Sequence, residues 1–99
     1  MNNTITEEKL DKYLKLTREA LDTVEKVDID ELREPDARDL KDLANRYYSD
    51  AIHFKEKGEW VMAFTAVCYA HAFLDVGARL GLFKVDDSRL FMVDDDTTS

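Results

Sequence analysis

The sequence predicts an all-α protein: an up-down-up three-helix bundle with a tight antiparallel hairpin between its second and third helices. Three observations carry this reading. The 99 residues include only three glycines and one proline, too few turn residues for an all-β chain. Apolar residues recur at threes and fours, the period of an amphipathic helix. The run from Gly58 to Leu82, GEWVMAFTAVCYAHAFLDVGARLGL, is apolar or small almost throughout, as expected of a helix at the centre of a bundle.

The first helix starts at Thr4 or Thr6. Glu7 stands three residues after Thr4, as a capping box requires, and Glu7 and Glu8 complement the positive end of the helix dipole. Leu10, Tyr13, Leu14, Thr17, Leu21, Val24 and Val27 form its apolar stripe, and the helix is expected to stop near Val27. Glu8 with Lys12, and Asp11 with Lys15, are i,i+4 pairs on its wet side.

Residues 28–34, DIDELRE, have two readings. Ile29 and Leu32 either tuck onto the bundle as a connecting loop or belong to an extra helical turn. Pro35 marks a new helix start, because proline is tolerated in a first turn and breaks an interior one. Asp36 or Glu34 is the expected cap. The second helix places Ala37, Leu40, Leu43, Ala44, Tyr47, Ala51 and Phe54 on one face, flanked by Tyr48 and Ile52. Lys55 and Lys57 suit its C-terminal end, and Gly58 is free to take the positive φ of a helix stop.

The third helix is expected to begin at once with Glu59, and so short a connection forces an antiparallel hairpin. It shows two apolar stripes. Trp60, Ala63, Phe64, Val67, Ala70 and Leu74 form one; Met62, Ala66, Tyr69, Phe73, Val76 and Leu80 form the other. A helix that touches two neighbours needs two stripes, which accounts for most of the apolar surplus. Thr65, Cys68, Ala72, Asp75 and Arg79 leave only a narrow less apolar strip, and any apolar remainder is expected to pair with another copy or another protein. The alanines and Gly77 allow close helix approach, and Gly81 ends the helix.

The bundle is expected over residues 1–85, followed by an acidic, partly disordered tail over 86–99. Leu90, Phe91, Met92 and Val93 make an apolar island in that tail. Folding back onto the bundle is favoured by the hydrophobic effect; the alternative is a short peptide gripped by another protein.

Charged residues make up 36% of the chain and the formal net charge is -8. Lysines and arginines are dispersed among carboxylates, as in Glu8, Lys9, Asp11, Lys12 and Lys15. Without a basic face to neutralise phosphates, no nucleic-acid partner is expected. The charge also opposes binding to a bare anionic membrane. The third helix is long enough to span a bilayer, but Glu59, His71, Asp75 and Arg79 favour a buried helix in a soluble protein. The N-terminal MNNTITEEKLDK has no basic segment followed by an apolar run, and Cys68 is the one cysteine. Both fit a cytoplasmic protein.

From Tyr47 to Ala70 the hairpin resembles a single tetratricopeptide-type unit. Tyr47, Ala51, Phe54, Gly58, Trp60, Ala63 and Ala70 occupy its aromatic, small and turn positions. Asp50 and Asp75 depart from that pattern, and no second copy follows. A longer resemblance covers Ala51 to Leu82: Ala51-x-x-Phe54-x-x-x-Gly58, then Ala63, then Tyr69-Ala70-His71-x-x-Leu74-Asp75-x-Gly77-x-Arg79-x-Gly81-Leu82. This pattern is similar to a small archaeal helical family, domain of unknown function 357. The resemblance implies an archaeal cytosolic protein of helical fold and no particular chemistry.

His71, Asp75 and Arg79 follow one another at i,i+4 and share one side of the third helix. They are either a polar cluster, in which Asp75 orients His71 and Arg79 binds an anion, or an ion-pair ladder on the helix's wet strip. The ladder is the commoner use of that spacing. Arg46 and His53, six residues apart in between, resemble the nuclease motif of the helical HEPN family, which would make the protein a ribonuclease. Trp60 and Tyr69 suggest an aromatic ligand pocket or core filling. Cys68, flanked by Val67 and Tyr69, is expected to be buried and inert.

No glycine-rich phosphate loop, nucleophile elbow or HExxH stretch occurs, and two histidines on different helices do not specify zinc, so no cofactor or metal is expected. The function the sequence favours is a small protein-interaction or self-association module. Its candidate contact residues are Trp60, Tyr69, Phe73, Leu90, Phe91 and Met92. The competing readings are the ribonuclease using Arg46 and His53 and the small-molecule binder.

Overall fold

The computed structural model describes residues 5–91. The expectations that fall on Thr4, on Met92 and Val93, and on the acidic end of the tail lie outside them. Three helices make up the body: α1 (Glu7–Lys26), α2 (Glu34–Glu56) and α3 (Trp60–Arg79).

Thr6 caps α1, its hydroxyl accepting from the Lys9 backbone N–H at 3.1 Å. Leu10, Leu14, Thr17, Ala20, Leu21 and Val24 are the buried face of α1. Tyr13 and Val27, counted in the stripe, are half-buried at its margins.

The connection from α1 to α2 divides the two readings offered for it. Ile29 does pack on the bundle, where it bridges to Phe83 as a single antiparallel pair. Leu32 does not tuck in; it is 94% exposed within a 3-10 turn over Glu31–Arg33. That turn runs straight into α2, and this overturns the expected cap. Glu34 and Asp36 both lie inside the first turn of α2, and no side chain caps it. The Glu34 N–H is already met by the Glu31 carbonyl. Asp30 caps the 3-10 turn instead, accepting from the Leu32 N–H at 3.1 Å.

The α2–α3 hairpin is closed by Gly58. Its φ of 78° lets the Gly58 N–H reach the Lys55 carbonyl and the Glu59 N–H reach the Phe54 carbonyl, both at 2.9 Å. Two orphan carbonyls at the end of α2 are thereby satisfied. Gly81 repeats the device after α3, with φ 75° and paired bonds to Ala78 and Gly77. Arg33 adds a cation there, donating to the Leu80 carbonyl at 2.8 Å.

Three cross-helix contacts set the α1–α2 register: Asp11 with Lys55, Arg18 over the Tyr48 ring, and Glu25 with Lys41. Each step of seven up α1 is a step of seven down α2, so the two are antiparallel. The Asp11 carboxylate thus reaches Lys55 of α2, at 2.6 Å. Along α3, the partners of α1 rise together, Tyr13 against Phe64 and Thr17 against His71, so α1 and α3 are parallel. The order is up-down-up.

Two apolar clusters fill the interior. One, at the start of α1 and the hairpin end, holds Leu10, Leu14, Ala51, Ala63, Ala66 and Val67. The other, at the far end, joins Leu21, Val24, Ala37, Ala44 and Leu74 to four residues from beyond α3: Leu82, Phe83, Leu90 and Phe91. The segment after α3 therefore straps across the bundle, and burying a side chain of this size stabilises by about 1.5–3 kcal/mol. Gly77 serves this strap rather than a helix crossing. A Cβ at Gly77 would stand 2.1 Å from the Phe83 ring.

Candidate interaction surface

α3 spends only one of its two apolar stripes on the core. Ala63, Val67, Ala70 and Leu74 are fully buried, with Ala66, Gly77 and Ala78 beside them. The second stripe was expected to be covered as well, and mostly it is not. Met62, Tyr69, Val76 and Leu80 are 46–55% exposed, and Val61 is 53% exposed. Of that stripe only Ala66 is buried and Phe73 half-buried. The reason is geometric. α2 meets one flank of α3 at Tyr69 and Phe73, α1 meets the other at Phe64 and His71, and the face that turns away from the core between those flanks stays bare.

The bare face is continuous. At 100° per residue, Val61, Thr65, Cys68, Ala72 and Val76 form a seam along the helix, and all five are exposed. Met62, Tyr69, Phe73 and Leu80 flank it toward α2. There Tyr47 of α2 stacks on Tyr69 with ring centroids 5.5 Å apart and meets Phe73 at 5.6 Å. These contacts hold the two aromatic rings of α3 in fixed orientations at the surface. The Thr65 hydroxyl donates to the Val61 carbonyl at 3.0 Å, so it adds no unsatisfied donor to the seam.

Cys68 is a correction to the sequence reading. It is an exposed thiol on the outer seam, not a core residue. Partial burial against the helix surface nonetheless pushes its pKa up, against a smaller opposite pull from Lys9, so it is a weak nucleophile. Trp60 and Tyr69 do not form one pocket either. They point from opposite sides of α3, Trp60 toward the cluster around Leu10 and Tyr69 outward.

His71 and Asp75 face α1 at the edge of the covered side. His71 Nδ1 lies 2.9 Å from the Thr17 hydroxyl, and its Nε2 lies 2.5 Å from the Leu90 carbonyl. A carbonyl only accepts, so Nε2 carries a proton, while Nδ1 and the Thr17 hydroxyl share the second hydrogen bond. Asp75 Oδ1 stands 3.9 Å from Nε2, beyond hydrogen-bond range, and Arg79 is exposed one turn further on. His71 thus ties α1, α3 and the strap together. A shallow cavity of about 280 Å³ opens beside it, lined by Tyr13, Leu16, Cys68, Ala72, Asp75 and Arg89.

Leu90 and Phe91 lie in the core, 3% and 2% exposed, so neither offers a handle on the surface. An Asp87 turn delivers them: the Leu90 and Phe91 N–H groups both donate to the Asp87 carbonyl, and Asp87 Oδ1 takes the Arg89 N–H. Arg89 then pairs with Glu19 of α1. That hydrogen bond, more than the charge itself, holds the Glu19 carboxyl below its ordinary range and raises Arg89.

Arg46 and His53 are both exposed on α2, two turns and so about 10 Å apart along the axis. The shallow groove at His53 is lined by Arg18, Asn45, Tyr48, Ser49, Ile52 and Glu56. Among the described residues, no group of three or more His, Cys, Asp or Glu side chains is arranged to hold a metal.

The sequence reading missed Val61 and Tyr47 as surface-forming residues. A signal was present: an all-round apolar helix in a chain with only two others to cover it.

A family model described as a protein of unknown function (DUF357) matches residues 12–83, from α1 through the first residues of the strap. No curated protein matches the chain, and no solved structure does.

Proposed function

The chain belongs to the DUF357 family of proteins of unknown function, and we propose that it is a small docking module that engages a protein through the outer face of α3. One observation carries this reading: an uncharged, largely apolar seam on α3, rimmed by rigid aromatics, on a molecule of net charge -8. Exposed apolar residues scattered singly need no explanation, but a contiguous face of them marks a contact surface. Tyr69 fits the role well, because a Tyr pinned by stacking loses little entropy on binding and carries a polar tip.

The single cysteine and the densely charged remainder of the surface favour an aqueous, reducing setting, the cytoplasm. α3 is long and apolar enough to cross a membrane. A crossing would strip Ala63, Val67, Ala70 and Leu74 from the core, which favours a protein partner.

The test is retention of a protein partner, this chain included, by the immobilised chain and by a Tyr69→Glu/Val76→Glu variant. Circular dichroism would establish that the variant keeps its helices. Specific retention by the native chain, lost in the variant, supports docking through this face. Equal retention by both, or none by either, refutes it.

A further inference from the structure

Resting on that reading, we infer that the occupant of the α3 face is a second copy of the same chain, its α3 packed antiparallel to the first across a two-fold axis near the middle of the helix.

The face has the size a dimer needs. From Val61 to Leu80 α3 rises roughly 29 Å at about 1.5 Å per residue. With the Tyr47 edge of α2 beside it, the face is about two helix widths, roughly 20 Å, across. That is on the order of 600 Å² in projection. Protruding side chains such as Met62, Tyr69 and Leu80 bring the accessible area toward the ~800 Å² that each partner contributes to a standard interface. The organisation matches too, with an apolar centre and a rim of exposed charge at Arg46 and Asp50 on α2.

Charge sets where two copies can meet and in which direction. Copies of a chain with net charge -8 repel one another, and they do so least where the facing surfaces carry no carboxylate. The seam of Val61, Thr65, Cys68, Ala72 and Val76 carries none. The two ends of α3 differ in sign, with Glu59 at the start and Arg79 at the end. An antiparallel pair sets Arg79 of each copy near Glu59 of the other and places the positive end of each helix dipole beside the negative end of its neighbour; a parallel pair would bring like ends together. Such a contact uses the same patch on both copies and closes on itself. The small residues Thr65, Cys68 and Ala72 stand at the centre of the seam, where two helix backbones must come closest.

The experiment is light scattering behind size-exclusion chromatography on the full chain, from micromolar to millimolar concentration, with Tyr69→Glu/Val76→Glu alongside. The expected result is twice the chain mass of 11.5 kDa for the native protein and the single mass for the variant. Direction is read in a Cys68→Ser background: Val61→Cys mixed with Leu80→Cys should cross-link through a short bis-maleimide, and Val61→Cys alone should not. A native protein of single mass throughout overturns the second copy. If the immobilised chain then still retains another protein through the α3 face, docking stands without self-association. If nothing is retained, both fall. A dimer indifferent to Tyr69 and Val76, or a cross-link between two Val61→Cys chains, also overturns the antiparallel pair.

Discussion

The imidazole Nδ1 of His71 on α3 lies 2.9 Å from the hydroxyl of Thr17, a side chain on α1 that is wholly removed from solvent. The two are 54 residues apart in sequence, and the bond between them is the one place where a fully buried polar residue of α1 is answered from α3. Because the other ring nitrogen serves Leu90, the pair also fixes where the strap lies.

Removing the imidazole leaves the Thr17 hydroxyl buried without its partner. His71→Ala is expected to lose about 1–3 kcal/mol in urea denaturation, the usual cost of a stranded buried donor. Thr17→Val should cost less, since His71 is 21% exposed and its freed nitrogen can reach water. The double variant should cost scarcely more than His71→Ala. Strictly additive losses would show that the two groups do not interact.

Gly77→Ala should destabilise the protein even though alanine favours helices by about 1 kcal/mol over glycine. The new methyl would overlap the Phe83 ring, and overpacking of this kind costs about 1–3 kcal/mol. Replacing Phe83 by Leu in the same chain should recover part of the loss. Thermal melts of the two variants decide it, and a Gly77→Ala protein that melts higher than the native chain would mean the ring does not sit there.

The strap is expected to contribute to stability as core does. Leu90→Ala should cost about 2–5 kcal/mol and Phe91→Ala about 3–5 kcal/mol, with the helices of the body still present in the folded baseline. Denaturant midpoints unchanged by either substitution would place these side chains outside the core.

Acid should loosen the strap and the α1–α2 connection together. Glu19 is held below the usual carboxylate range chiefly by its hydrogen bond from Arg89, and Asp30 chiefly by that from Arg33. A carboxyl whose folded pKa is depressed stabilises the fold above its unfolded pKa. That contribution is lost as pH falls through the lower folded value. The melting temperature should therefore drop as pH is taken below about 4, the ordinary carboxylate range. Glu19→Gln should show a shallower drop. Identical pH slopes for the two proteins would remove Glu19 from the account.

Much of the architecture is written locally. Leu10, Leu14, Leu21 and Val24 announce α1 by their spacing, and Gly58 announces the hairpin because few other residues take its φ at so little cost. Pro35 marks the start of α2 to within a residue. The run from Ala51 to Leu82 resembles the family that residues 12–83 match. The missing α2 cap was not legible, because a 3-10 turn against α2 supplies by backbone what Asp36 or Glu34 would supply by side chain. Cys68 and Val76 were not legible as surface, because an apolar residue in a helical run is the same letter whether a neighbour covers it or not.

By itself, then, the chain determined that it is helical, where its helices turn, and that α3 has more apolar surface than one neighbour can take. Those follow from spacing, φ preference and composition, which act over a few residues. The tertiary structure alone decided that the outer face of α3 stays uncovered, that Leu90 and Phe91 close the far end of the core, and that His71 joins Thr17 to the strap. Each of these depends on which surfaces meet at long range, where the gain comes from burying one particular face against another and no local pattern records the choice.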